Sequence, residues 1–217
     1  MPNPIPPPAA RAGLRRLAAA DADLGRIEPA AGPLAWRRRT PGFPGLLQAI
    51  MGQQISNQAA AAIWRRLAAL PGALRPEGLL ALDDAALRGA GLSRPKVAHC
   101  RALAAAYADG RLDDGSIAAM DDATAIATIV TVRGLGPWTA EVYLLFALER
   151  MDIFPAGDIA LAAAYADLLG TPERPTQARL REIAVRWQPY RSLAARLLWH
   201  HWRHRTGRPA MDDLPPS

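Results

Sequence analysis

Residues 132–158 read VRGLGPWTAEVYLLFALERMDIFPAGD, and this stretch decides the fold. Gly134-Leu135-Gly136 is a tight turn in which each glycine permits backbone conformations that a side chain would forbid. Pro137 suits the first position of a helix, where the N–H it lacks would have no partner anyway. A helix is therefore expected over 137–149, entered from another over 121–131. The N–H groups opening the second helix lack internal partners and sit at the positive end of its dipole, a ready seat for a phosphate. An ordinary helix–helix turn with glycine at the C-cap would leave the same local trace. After an apolar connection over 150–157, bounded by Pro155 and Gly157, stands a lone carboxylate, Asp158, placed to N-cap a helix over 158–169.

Outward from this stretch, nearly every periodic segment is helical. Leu46, Leu47, Ile50 and Met51, then Ile55, Ala59, Ile63 and Leu67, keep helical spacing across 44–70. Gly52 within that run predicts two helices with a tight loop at Gly52-Gln53-Gln54. Further helices are expected over 11–20, 76–89, 94–108, 176–187 (capped by Thr176) and 190–204. No strand alternation and no long internal repeat is visible. The chain reads as all-α, with residues 150–157 crossing between two lobes and leaving a cleft beside Asp158. The lobes are expected at 43–156 and at 11–42 plus 157–206. They form one domain over 11–206, flanked by a flexible proline-rich arm (1–10) and a flexible tail (207–217).

With 217 residues, half of them hydrophobic, the chain is long enough to bury a core. The formal charge is +6, and Lys96 is the only lysine among the 26 basic residues. Arginine favours bidentate phosphate contacts, although a composition rich in Arg, Ala, Gly and Pro explains much of this excess. Cys100 is the only cysteine, which excludes an intramolecular disulfide, a Cys-based iron–sulfur cluster and a Cys-based structural zinc site. No apolar run approaches membrane-spanning length, and the first residues lack the pattern of a secretory signal. His200 and His204 stand one helical turn apart, but no Cys or suitably spaced carboxylate completes a metal site; a polar helix face is the expectation there. Arg191 and Lys96 are candidate phosphate contacts, and Glu141 is expected to face solvent or pair with arginine.

The pattern around the turn, Leu-Gly-Pro-Trp-Thr-Ala-Glu over 135–141, resembles the helix-hairpin-helix of the base-excision DNA glycosylases. Four more stretches resemble elements of that family in the same order: AIMGQQIS (49–56), GLSRPKVA (91–98), DIFPAGD (152–158), and WQPYRSLA (187–194) followed by Leu198-Trp199. The resemblance runs roughly from residue 40 to residue 205 and is greatest to the alkylation-repair branch, the 3-methyladenine DNA glycosylase II type. It implies a monofunctional, monomeric enzyme acting on damaged bases in double-stranded DNA, cytoplasmic and nucleoid-associated, away from membranes.

By the same resemblance Asp158 is the catalytic carboxylate, a role compatible with capping. Breaking a base–sugar bond builds positive charge on the sugar, which a preorganised carboxylate stabilises while orienting water. The resemblance places Trp138 and Tyr190 in an aromatic base pocket that favours a cationic, alkylated purine, and each could instead be a core aromatic. It implies DNA contacts at Gln54, Gly134, Gly136 and Thr139. Gln54 stands where some relatives use an apolar wedge, and Val142 where some place a tyrosine. Trp138 occupies the position of the nucleophilic lysine of bifunctional relatives and cannot form a Schiff base. No organic cofactor is expected; the family implies a Na+ or K+ on the backbone carbonyls of Val130, Val132 and Leu135. The rival readings are a glycosylase for hypoxanthine or an oxidised base, and a non-catalytic DNA-binding module.

Overall fold

The computed structural model describes residues 5–207, and among these every regular element is helical. Residues 1–4 of the expected arm and residues 208–217 of the expected tail lie outside the described residues. The helices are α1 (Pro8–Ala20), α2 (Ala22–Gly25), α3 (Ile27–Ala31), α4 (Phe43–Gly52), α5 (Asn57–Ala68), α6 (Pro76–Ala81) and α7 (Asp84–Gly89). They continue with α8 (Arg94–Ala108), α9 (Asp114–Ala119), α10 (Asp122–Val130), α11 (Pro137–Phe146), α12 (Ile159–Leu169), α13 (Gln177–Ala184) and α14 (Arg191–Thr206). A single 3-10 turn, Val185–Trp187, follows α13.

Short polar side chains set most of the starts. Ser56, Asp83, Ser93, Asp113, Asp121, Asp158 and Thr176 each accept a hydrogen bond from a first-turn N–H, satisfying donors that the helix itself leaves unpaired. The Asp83 cap explains why the helix expected over 76–89 is two: the chain leaves α6 at Leu82 in extended conformation and starts again. The helices over 22–31 and 114–119 were not expected. They span little more than a turn each and hold too few residues to show a period.

The chain divides into two compact units. The central unit comprises residues 39–148 and the terminal unit comprises residues 5–38 and 149–207. These boundaries differ from the expected lobes at both crossings. Residues 39–42 belong with the central unit because Arg39 N–H donates to the Phe146 carbonyl at 3.0 Å and Gly42 N–H to the Tyr143 hydroxyl at 2.8 Å. Residues 149–156 belong with the terminal unit, bound to the start of α14: Ser192 N–H donates to the Met151 carbonyl at 3.0 Å, and Ile153 N–H to the Ser192 hydroxyl at 2.9 Å.

In the central unit α8 packs against α4, α6 and α7, and α11 against α4 and α10. Leu46, Leu47, Ile50, Leu79, Leu87, Leu103, Leu144 and Leu145 fill the space between them. Lys96, at 8% exposure, lies in this core rather than on a phosphate-binding surface. Its ammonium donates to the carbonyl of Met51 in the last turn of α4, where helix carbonyls lack internal donors. Burial lowers its pKa. In the terminal unit α14 is the central rod, packed against α1, α3 and α12, and the unbroken run Ser192–Leu198 is buried. Asp21 ties several parts of this unit together. One of its oxygens caps α2, and the other accepts the Trp187 indole N–H at 2.7 Å and pairs with Arg186 at 3.1 Å.

Candidate active site and nucleic-acid interface

The central unit supplies the hairpin. Asp121 starts α10, whose last residue is Val130; the turn over 131–136 leads to Gly136, the N-cap of α11. Gly134 has φ +93°, and a Cβ there would lie 2.2 Å from Cγ of His99, so both backbone and space demand glycine. Gly136 differs from the expectation: its backbone is ordinary extended chain, φ −89°, and a Cβ would meet nothing within 4 Å. What its missing side chain leaves is open space before the N-terminus of α11, a helix that no side chain caps.

Of the other residues expected here, Thr139 is buried. At 3% exposure its side chain is interior, so any contact it makes with DNA runs through its first-turn N–H. Its hydroxyl receives a longer 3.4 Å contact from Gln53, whose amide donates mainly to the Gly134 carbonyl at 2.8 Å. Val142 is also buried, at 2% exposure. Trp138, at the second position of α11, is partly exposed. Gln54 is exposed and holds φ +59°, a left-handed conformation uncommon outside glycine. The carbonyls of Val130, Val132 and Leu135 all belong to the hairpin, and that of Val132 already accepts the Leu135 N–H at 3.0 Å.

The terminal unit supplies the carboxylate. Asp158 begins α12 as expected, its Oδ1 accepting the N–H groups of Ala160 at 2.8 Å and Leu161 at 3.0 Å. A third donor was not foreseen: the indole N–H of Trp199, on α14, reaches the same oxygen at 3.3 Å. The segment before Asp158 is fastened to α14 in the same unit. Arg191 grips Asp152 through Nε at 2.9 Å and Nη2 at 3.0 Å, and the Ser192 hydroxyl donates back to the Ile153 carbonyl at 3.0 Å. Arg191, a candidate phosphate contact by sequence, is therefore part of the mount that carries Asp158. Beside that carboxylate the side chain of Ile159 is 75% exposed.

Tyr190 is half-buried against α1. Its ring lies where a Cβ on Gly13 would be 2.9 Å away, and its hydroxyl accepts from Arg16 at 3.0 Å, so it is wedged against α1. His200 donates Nε2–H to the Gly32 carbonyl at 2.8 Å, and among the described residues no group of His, Cys, Asp and Glu could hold a metal ion. No helix among them is long and apolar enough to cross a membrane. The sequence pattern held R-S and L-W, but nothing in it said that Arg191, Ser192 and Trp199 turn back toward the carboxylate segment, because those contacts span 39 to 41 residues.

Comparison with known proteins adds to this geometry. The family model described as HhH-GPD superfamily base excision DNA repair protein matches residues 47–189. The chain is 28% identical over 161 residues to DNA-3-methyladenine glycosylase 1 of Schizosaccharomyces pombe, covering 72% of this chain and 71% of that protein. It is 30% identical over 153 residues to a DNA-3-methyladenine glycosylase of Saccharomyces cerevisiae, covering 66% of this chain but only 52% of the relative. Its fold is similar to that of the S. pombe 3-methyladenine DNA glycosylase solved in complex with abasic DNA, with TM-score 0.79, 25% identity and coverage of 90% of this chain and 95% of the other.

Proposed function

The chain belongs to the HhH-GPD superfamily of base excision DNA repair proteins, and from that premise we propose that it is a monofunctional DNA glycosylase that releases N-alkylated purines. The observation that carries this reading is the mounting of Asp158. Its Oδ1 is held by two backbone N–H groups and an indole N–H, on a segment clamped to α14 by Arg191 and Ser192. A carboxylate so fixed does not have to reorganise as charge develops in front of it. The damaged nucleotide leaves the stack, and the hairpin's open helix N-terminus holds a backbone phosphate. Gln54, exposed on its loop, fills the gap left behind, and Trp138 offers an aromatic face to the cationic base. As the bond from C1′ to the base nitrogen breaks, its electron pair neutralises the base and Asp158 stabilises the positive sugar; water adds at C1′ and gives up a proton to the Asp158 carboxylate, which passes it to solvent.

The product is an abasic site on an intact strand. The only lysine is buried against the Met51 carbonyl, and tryptophan occupies the hairpin position, so no lysine amine is presented to form a Schiff base. A Na+ or K+ would be held by the carbonyls of Val130, Val132 and Leu135. The site's chemistry fits, since Val130 ends α10 and its carbonyl has no intrahelical donor. Bound there, the ion would add positive potential behind the phosphate seat. The enzyme acts as a monomer in the compartment that holds the DNA, associated with the nucleoid.

The test is base release from methylated duplex DNA by wild type and Asp158→Asn. Wild type should release 3-methyladenine; the variant should still bind DNA but be slower by at least about 100-fold. No release of any alkylated base by wild type would overturn the reading.

A further inference from the structure

We infer that Gln53 is a positioning residue for base eversion: its side-chain amide fastens the loop carrying Gln54 to the hairpin, so that gap-filling and phosphate-holding elements move as one piece. This rests on the glycosylase reading above. It adds a role for a residue that neither touches the reacting bond nor presents itself to DNA as Gln54 does.

The loop leaves α4 with the Gln53 N–H donating to the Ile50 carbonyl at 3.3 Å, and ends where the Ser56 hydroxyl accepts the Ala59 N–H at 3.2 Å. Between these anchors Gln54 is exposed, with left-handed backbone at φ +59°. Such a conformation persists only where the surroundings hold it. A side chain pushed into a duplex also meets a restoring force, because unstacking a base costs a few kcal/mol. Packing by Gln54 itself cannot resist that force, since the side chain points into solvent when no DNA is bound. Gln53 Nε2 connects the loop to the hairpin: it donates to the Gly134 carbonyl at 2.8 Å and reaches the Thr139 hydroxyl at 3.4 Å.

Both acceptors are rigid. Gly134 is confined by His99 beneath it, and Thr139 is buried in the first turn of α11. The push on Gln54 is thus returned through one amide to the element that grips the backbone. The hairpin does not need Gln53 in return: α10 and α11 hold it from both sides, and its own Leu135 N–H bonds to the Val132 carbonyl at 3.0 Å. Losing the amide should therefore slacken the loop and leave the phosphate seat intact.

The experiment compares single-turnover release of 7-methylguanine from a duplex in which the lesion faces cytosine with release from one in which it faces an abasic gap, where eversion costs less. Gln53→Met keeps the length and removes the donor. It should be slower by about five- to tenfold on the paired lesion, the worth of a lost hydrogen bond. The deficit should fall below about twofold opposite the gap, with affinity for undamaged duplex unchanged within the same factor. Gln53→Glu, nearly isosteric, removes the same donor and covers the case in which the Met variant fails to fold; it should repeat the difference between the two substrates, while its added negative charge beside the phosphate seat lowers duplex affinity equally for both. An equal loss on both substrates, or a loss on neither, would overturn the assignment. Wild type that releases nothing from either duplex would instead remove the glycosylase reading beneath it.

Discussion

The two glycines of the hairpin look alike in sequence and separate in structure. Gly134→Ala forces a side chain onto a backbone at φ +93° and into the ring of His99. It should lower unfolding free energy by about 2–4 kcal/mol in urea titration. Adding His99→Ala should recover the steric part and leave the backbone part. Gly136→Ala meets nothing and needs no unusual angle. It should leave the urea midpoint unchanged and weaken duplex binding by about fivefold, the effect of crowding one phosphate contact. At the carboxylate, Trp199→Phe keeps the ring and removes the indole N–H that reaches Asp158. Base release should slow by about three- to tenfold with DNA affinity unchanged; an unchanged rate would mean that the two backbone donors suffice. The Asp158 cap and the Gly134 turn were legible because each stands in a local pattern. Gln53, Ser192 and Trp199 were not, since each acts on a partner far along the chain and one sequence carries no trace of the pairing. The burial of the Thr139 side chain was hidden for the related reason that position in a helix's first turn does not reveal which way a side chain points.

Among the elements, the long helices followed from their period and caps, and their ends were moved by local chemistry. Asp83 split one expected helix into two, and α2, α3 and α9 were too short to be heard above the loop signal. The segment before Asp158 was read as apolar and extended, which it is, but its attachment to α14 was invisible. That attachment can be weighed. The Ser192 hydroxyl, at 2% exposure, both accepts from the Ile153 N–H and donates to its carbonyl. Ser192→Ala strands both groups in a buried setting and should cost about 1–3 kcal/mol by chemical denaturation. Because Asp158 follows on the same segment, base release should fall in parallel under conditions where the fold persists.

At the scale of the whole molecule, stability should respond to acid through His200. Burial lowers the pKa of its imidazole below the ordinary 6.5, against a smaller opposing contribution from the Gly32 carbonyl. The folded chain therefore holds this ring neutral, while the unfolded chain protonates it near its ordinary value. The contribution is fully present above the ordinary value and is lost as pH falls through the lower folded one. The melting temperature should accordingly drop as pH falls below the ordinary value of 6.5, and His200→Gln should flatten part of that drop. Composition foretold a buried core and periodicity an all-α chain, but neither showed the boundaries of the two units, where hydrogen bonds at Arg39, Gly42, Met151 and Ile153 tie the crossings. The solitary lysine has one more consequence. A lysine-specific protease finds one target bond, Lys96–Val97, in the opening turn of α8 with its recognition side chain held against α4. The native chain should resist it, and every scission should report an opening of the central unit. A simple two-band gel would then follow the breathing of that unit alone, with no label added and no residue changed.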